Sequence, residues 1–141
     1  MKFNPLKPEL YVTSFQISLN FYKNILGFDV EYQRENPSFA FLSYQGSNLM
    51  IQELDPKEDK AFITGSLEYP LGRGINFQID IDNISKISNS LKRSKYPLRR
   101  NVQDSWYKVG NILHGCRQIL VQDPDGYLLR FSQGIGEKPV E

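Results

Sequence analysis

Glu9-Leu10-Tyr11-Val12-Thr13-Ser14-Phe15-Gln16-Ile17-Ser18-Leu19-Asn20-Phe21-Tyr22-Lys23-Asn24-Ile25-Leu26-Gly27 is the stretch that decides the fold. Glu9 to Thr13 reads as a strand. Ser14 then suits a helix N-cap, because its hydroxyl can accept from an orphan amide of the first turn. Phe15, Leu19, Tyr22 and Leu26 follow at the spacing of a helix packed by one face. Gly27 ends the helix where a left-handed residue is wanted. Beyond it, residues 28–34, 38–44 and 49–54 read as three strands, separated by Asn36-Pro37 and by Gln45-Gly46-Ser47-Asn48. The unit is strand, helix, strand, strand, strand.

That unit occurs a second time. Residues 55–70 read as a long connection with a short helical turn. Gly74 to Ile81 is then a strand with Ile75, Phe77, Ile79 and Ile81 on one face. Ile84, Ile87 and Leu91 form a second helical stripe, ended by Tyr96-Pro97. Residues 99–109 and 116–122 are strands joined through 110–115. Asp123-Pro124-Asp125-Gly126 is a tight turn. Residues 127–131 close the series, and 134–141 read as a loose tail. Val12 recurs as Ile81 after 69 residues, and Gln52 as Arg130 after 78. This is an internal duplication. It predicts an α+β fold of two βαβββ modules in one domain spanning 1–141, with module 1 at about 6–54, a linker at about 55–72, module 2 at about 73–133 and a concave space between the sheets.

Composition bounds the function. The chain has 141 residues, 17 Lys plus Arg against 16 Asp plus Glu, and a net charge of +1. Hydrophobic residues make up 40% and charged ones 23%, the balance of a folded globular chain. Near-neutrality argues against nucleic acid, which needs a basic surplus. The cluster Lys92-Arg93-Ser94-Lys95 reads as a solvated helix end, where cations are favoured. No run approaches a membrane span, and the N-terminus lacks a secretory signal. A cytoplasmic protein with no nucleic-acid or membrane partner is expected.

Reactive side chains are sparse. Cys116 is the single cysteine and His114 the single histidine. Alternation puts them on one strand face, where they read as a buried thiol beside an incidental histidine or as a nucleophile pair. Gly72-Arg73-Gly74 and Gly134-Ile135-Gly136 lack the context of a nucleotide fingerprint and read as turns.

Ser18-Leu19-Asn20-Phe21-Tyr22 followed by Leu26-Gly27-Phe28 resembles the S-L-x-F-Y…L-G-F signature of the vicinal-oxygen-chelate superfamily, which includes glyoxalase I, extradiol dioxygenases, and fosfomycin- and bleomycin-resistance proteins. Val121 to Phe131 resembles its closing D-P-D-G motif and strand. The resemblance covers about residues 6 to 133. It implies metal ligands at four positions, which in this chain hold Lys7, Gln52, Asn76 and Arg130. Lys and Arg offer a cation no lone pair, and Asn and Gln only weak amide oxygens. No metal and no other cofactor is therefore expected.

Arg130 within L-L-R-F resembles the bleomycin-resistance branch, whose members sequester drug in grooves of a dimer. The resemblance implies a non-catalytic binding protein for a small organic molecule, acting as a homodimer. The +1 charge departs from that branch's acidic balance, so bleomycin itself is not named as the ligand. The alternatives are a glyoxalase-, dioxygenase- or lyase-like enzyme with a divergent site, and a degenerate module kept for protein contacts. Expected ligand-binding residues are Phe39, Phe41, Gln52, Asn76, Trp106 and Arg130, with no catalytic residue. Phe39 and Phe41 read equally as core. Trp106 reads as a cleft residue because polar neighbours flank it. Arg130 needs an acceptor, either an internal carboxylate or a ligand anion.

Overall fold

Ser14 caps the first helix as its chemistry predicts: its side chain accepts from the Ile17 N–H at 3.4 Å in the computed structural model, which describes residues 3–55, 57 and 60–141. The helix α1 (Phe15–Leu19) continues as a π-helical segment, Asn20–Leu26, and Gly27 closes it at φ 92°. The wider π turn changes the buried face. Ser18, Phe21 and Tyr22 join Phe15 and Leu26 inside, and Leu19, expected on the stripe, is displaced to a half-buried position. Both aromatic residues of Phe21-Tyr22 thus enter the core.

The strands that follow are β1 (Glu9–Val12), β2 (Asp29–Arg34), β3 (Phe39–Tyr44) and β4 (Ser47–Glu53), with a short 3₁₀ turn at Lys60–Phe62. They form one mixed sheet of order β1-β4-β3-β2, in which β1 runs parallel to β4 and the other pairs are antiparallel. The second half gives β5 (Asn76–Asp80), α2 (Ile84–Arg93), β6 (Arg100–Val109), β7 (Ile112–Gln122) and β8 (Leu128–Pro139). Its sheet has order β5-β8-β7-β6, again with one parallel pair, β5 with β8. The two orders correspond strand for strand. The duplicated βαβββ pattern is the fold.

Four expectations need correcting. The second helix ends at Arg93, before Tyr96-Pro97, because Lys95 turns left-handed at φ 53° and the Tyr96 N–H closes onto the Leu91 carbonyl at 2.9 Å. The connection placed at 110–115 is a two-residue turn, Gly110-Asn111, with β7 starting at Ile112. The tail is not loose: β8 runs to Pro139, opposite Ile112. Gly134-Ile135-Gly136 is a bulge within that strand rather than a turn, since Cys116 opposes Gly134 and Gly115 opposes Gly136, leaving Ile135 as the extra residue. Glycine-rich composition masked a strand.

Two compact units emerge. One comprises the described residues up to Arg73 plus Asp123–Tyr127, and the other Gly74–Gln122 plus Leu128–Glu141. The D-P-D-G-Y segment, which lies between β7 and β8 in sequence, thus packs with the first unit. The first unit's core is Leu10, Val12, Phe21, Tyr22, Leu42 and Ile51 with their neighbours, and the second unit's is Ile79, Ile87, Leu91, Ile119, Leu129 and Phe131. No described helix is long and apolar enough to cross a membrane.

Candidate functional site

In the first unit, alternation along β3 puts Ala40 and Leu42 on one face, and Phe39 and Phe41 on the other. Register sets Phe39 between Arg34 and Gln52, and Phe41 between Tyr32 and Met50. The two rings are 1% and 2% exposed. The Arg34 guanidinium lies 4.0 Å from the Phe39 centroid. Tyr32 stacks on both rings at 5.4 to 5.9 Å, and Phe3 sits 4.2 Å from Phe41. A ligand on this face would meet Tyr32, Phe3 and Arg34 first. Gln52 is half-buried opposite Tyr11 of β1, and Lys7 is exposed ahead of β1.

In the second unit, Arg130 lies between Gln78 of β5 and Leu120 of β7. Asn76 is two residues before Gln78 on the same strand face, exposed at the start of β5. Buried Gln118 donates to Ser132 at 3.2 Å, and Gln78 donates to Asp80 at 2.9 Å, so these neighbours are engaged with one another. The Nε of Arg130 is fully buried and has no hydrogen-bond partner among the described residues. Among the described residues no carboxylate forms a salt bridge with it. A buried N–H left unmade costs about 1–3 kcal/mol, and more when charged, so a cationic donor in that position can donate to an anion.

The structure does not bring Trp106 to this face. Trp106 opposes Gly115, and Arg130 opposes Leu120. Positions 115 and 120 differ in parity on the continuous strand β7, so the two side chains stand on opposite faces of the sheet. The Trp106 ring lies over Gly115, where a Cβ would come within 2.6 Å of it, and Lys138 Nζ sits 4.0 Å from the ring. The polar neighbours that suggested a cleft reflect a solvent-facing strand. His114 pairs with Glu137 at 3.2 Å and not with Cys116.

The four positions where the resemblance implies metal ligands do not fit a divalent cation. Arg130 and Lys7 are positive and offer it no lone pair, and Gln52 and Asn76 contribute only amide oxygens. Among the described residues no three His, Cys, Asp or Glu side chains group to hold an ion.

The motif chemistry that the sequence left without a role is structural. Asp123 is 2% exposed and accepts three hydrogen bonds, from the Tyr22 hydroxyl at 2.7 Å and from the Asp125 and Tyr127 amides at 2.9 and 3.0 Å. Asp125 accepts from the Thr13 hydroxyl and amide at 2.6 and 3.1 Å. The Tyr127 hydroxyl donates to the Tyr11 carbonyl at 2.9 Å, and its pKa is pushed up to about 12 by burial and by the two nearby aspartates. The S-L-N-F-Y and D-P-D-G-Y motifs therefore meet at one hydrogen bond, Tyr22 to Asp123. An aromatic hydroxyl in one motif and an acid in the other was the available signal.

Burial pushes the Asp123 carboxyl up to about 6 from 3.8, although its three donors pull the other way. A carboxyl raised in the folded state gives stability that is complete below about pH 4 and lost as pH rises through about 6. The expected loss is about 2 kcal/mol between pH 4 and pH 7. Asp123→Asn keeps the oxygen that accepts both amides and cannot ionise. Urea midpoints measured on both proteins across that range should converge at pH 7 from a gap that favours the parent at pH 4.

Residues 3–131 match the family described as the Glyoxalase/Bleomycin resistance protein/Dioxygenase superfamily. A superfamily member from Vibrio splendidus 12B01 is 32% identical over 91% of this chain and 96% of its own, with a TM-score of 0.42. The fosfomycin resistance protein FosX from Listeria monocytogenes is 19% identical over 95% and 94%, with a TM-score of 0.61. Lactoylglutathione lyase from Agrobacterium tumefaciens is 13% identical over 92% of each chain, with a TM-score of 0.60. The last two share the fold. No curated protein sequence matches the chain.

Proposed function

We propose that this chain, which belongs to the Glyoxalase/Bleomycin resistance protein/Dioxygenase superfamily, is a non-catalytic binding protein for a small organic molecule that carries an anionic group. The observation behind this reading is the buried, unpartnered Nε of Arg130. The same guanidinium disfavours a divalent cation at the position where a metal-dependent relative would need a carboxylate. Relatives of this fold include a lyase and an antibiotic resistance protein, and the donor set here supports sequestration over turnover. Within the bleomycin-resistance type of function, Arg130 favours an acidic ligand over a cationic one.

Calorimetry against a panel of carboxylates, phosphonates and glycopeptides, with bleomycin included, tests this. At least one acidic compound is expected to saturate at micromolar concentration. Arg130→Met should weaken it by about 10- to 100-fold, the range of a lost charge-assisted hydrogen bond. Trp106→Phe should leave the affinity unmoved, because that ring is on the opposite face. An affinity indifferent to Arg130→Met sinks the reading. Consumption of a bound compound makes the protein an enzyme.

A further inference from the structure

We propose that the ligand of the Arg130 face is a zwitterion, with its anionic group on Arg130 and a cationic amine on Asp80. The inference rests on the reading of Arg130 as an anion site and adds the second charge to it. Gln133 of β8 accepts from the Ile84 N–H at the start of α2 at 2.8 Å, so the odd-numbered residues of β8 up to 133 face that helix. Ile79, Ile119, Leu129 and Phe131 are the buried apolar residues of that side. Arg130 and Ser132 therefore point to the side of the sheet that α2 leaves open.

Register fixes the rest of this open side. Arg130 lies between Gln78 and Leu120, and in the next row Ser132 lies between Asp80 and Gln118. Registered neighbours project to the same side of a sheet, so Asp80 shares the face of Arg130 as its diagonal neighbour. From a strand spacing of about 4.8 Å and a rise of about 3.3 Å per residue, that diagonal is about 8 Å between Cα atoms. Gln118 and Ser132 are 3% and 4% exposed and bond to each other at 3.2 Å. They leave both charges unanswered.

Asp80 is exposed, and its Oδ1 accepts from the Gln78 Nε2 at 2.9 Å, which holds the carboxylate in place along the strand. Among the described residues neither Asp80 nor Arg130 forms a salt bridge. The fold thus keeps a cation and an anion on one face, near each other and not paired. A ligand of a single sign satisfies one of them and is repelled by the other. A ligand with both charges in the reverse order satisfies both. An extended chain of about four to six methylenes between carboxylate and amine spans the diagonal. The competing occupant is a dicarboxylate reaching from Arg130 to Arg100, which lies opposite Leu120 at the irregular end of β6. It would gain nothing from Asp80.

Calorimetry of the full chain with ω-amino acids of increasing length, each paired with its N-acetyl form, tests this. At the best length the amine is expected to bind at least about tenfold tighter than its N-acetyl form, with shorter members weaker. Asp80→Asn keeps an oxygen to accept from Gln78, so the fold should persist. It should erase the preference for the amine and leave the N-acetyl compounds at least as tight. Arg130→Met should weaken both forms. If Arg130→Met weakens both while amine and N-acetyl forms bind alike, or if Asp80→Asn leaves the preference intact, the zwitterion is overturned and the anion site stands. If Arg130→Met changes neither, the anion site falls with it. Tighter binding of dicarboxylates of the same length, or no binding of any amine up to millimolar concentration, also overturns the proposal.

Discussion

Asp123→Ala is expected to destabilise the protein by about 4 kcal/mol at pH 5. Three donors converge on this carboxyl: the Tyr22 hydroxyl and the amides of Asp125 and Tyr127. Alanine supplies no acceptor, so each buried donor is left unmade at about 1–3 kcal/mol, partly offset where water enters the space. The measurement belongs at pH 5, below the carboxyl's value of about 6, so that the charge on the parent does not obscure the hydrogen-bonding loss. Asp123→Asn should lose only about 1 kcal/mol under the same conditions. Equal losses for Ala and Asn in urea titrations would mean that the hydrogen bonds are not what holds the turn.

The sequence carried the architecture because its signals were redundant. Ser14, the apolar stripe and Gly27 all bound the same helix, and the second half repeats the unit, so an error in one element left the pattern intact. What escaped was conformational detail that composition does not encode. A π turn admits both Phe21 and Tyr22 and moves Leu19 aside, and 3.6-residue periodicity has no term for that. The Gly134 to Gly136 segment reads as flexible because glycine is frequent in turns, yet pairing with residues 112–116 makes it a bulged strand.

The candidate site was legible in part. Arg130 stands out in sequence as a charge inside an apolar strand, and the structure adds that its buried Nε has no hydrogen-bond partner among the described residues. Trp106 does not share the Arg130 face, and its polar neighbours could not show this, because alternation on one strand does not reveal which face the next strand presents. That relation depends on register across β7, which is a pairing property. Phe39 and Phe41 share a face as read, but their cover comes from Phe3, far off in sequence, and from Tyr32 and Arg34 through the β2–β3 pairing register.

Gly126→Ala should cost about 3–4 kcal/mol, for two separable reasons. Gly126 holds φ 96°, which an L side chain adopts at about 1–2 kcal/mol. A Cβ there would also lie 2.6 Å from the Pro70 Cα and 3.1 Å from the Leu71 nitrogen, backbone atoms that cannot swing aside. Leu71 is tied in place by its own N–H, which donates to the Asp125 carbonyl at 2.8 Å. The steric part therefore adds about 1–3 kcal/mol of overpacking. Gly46 provides the control, since it holds a similar φ of 87° with nothing within 4 Å of an added Cβ. Gly46→Ala should cost only the conformational part, about 1–2 kcal/mol. Thermal or urea unfolding of both variants reads the difference directly. If the two cost the same, Pro70 and Leu71 yield to the methyl group, and the close approach of the turn to residues 70–71 is not what makes glycine necessary there.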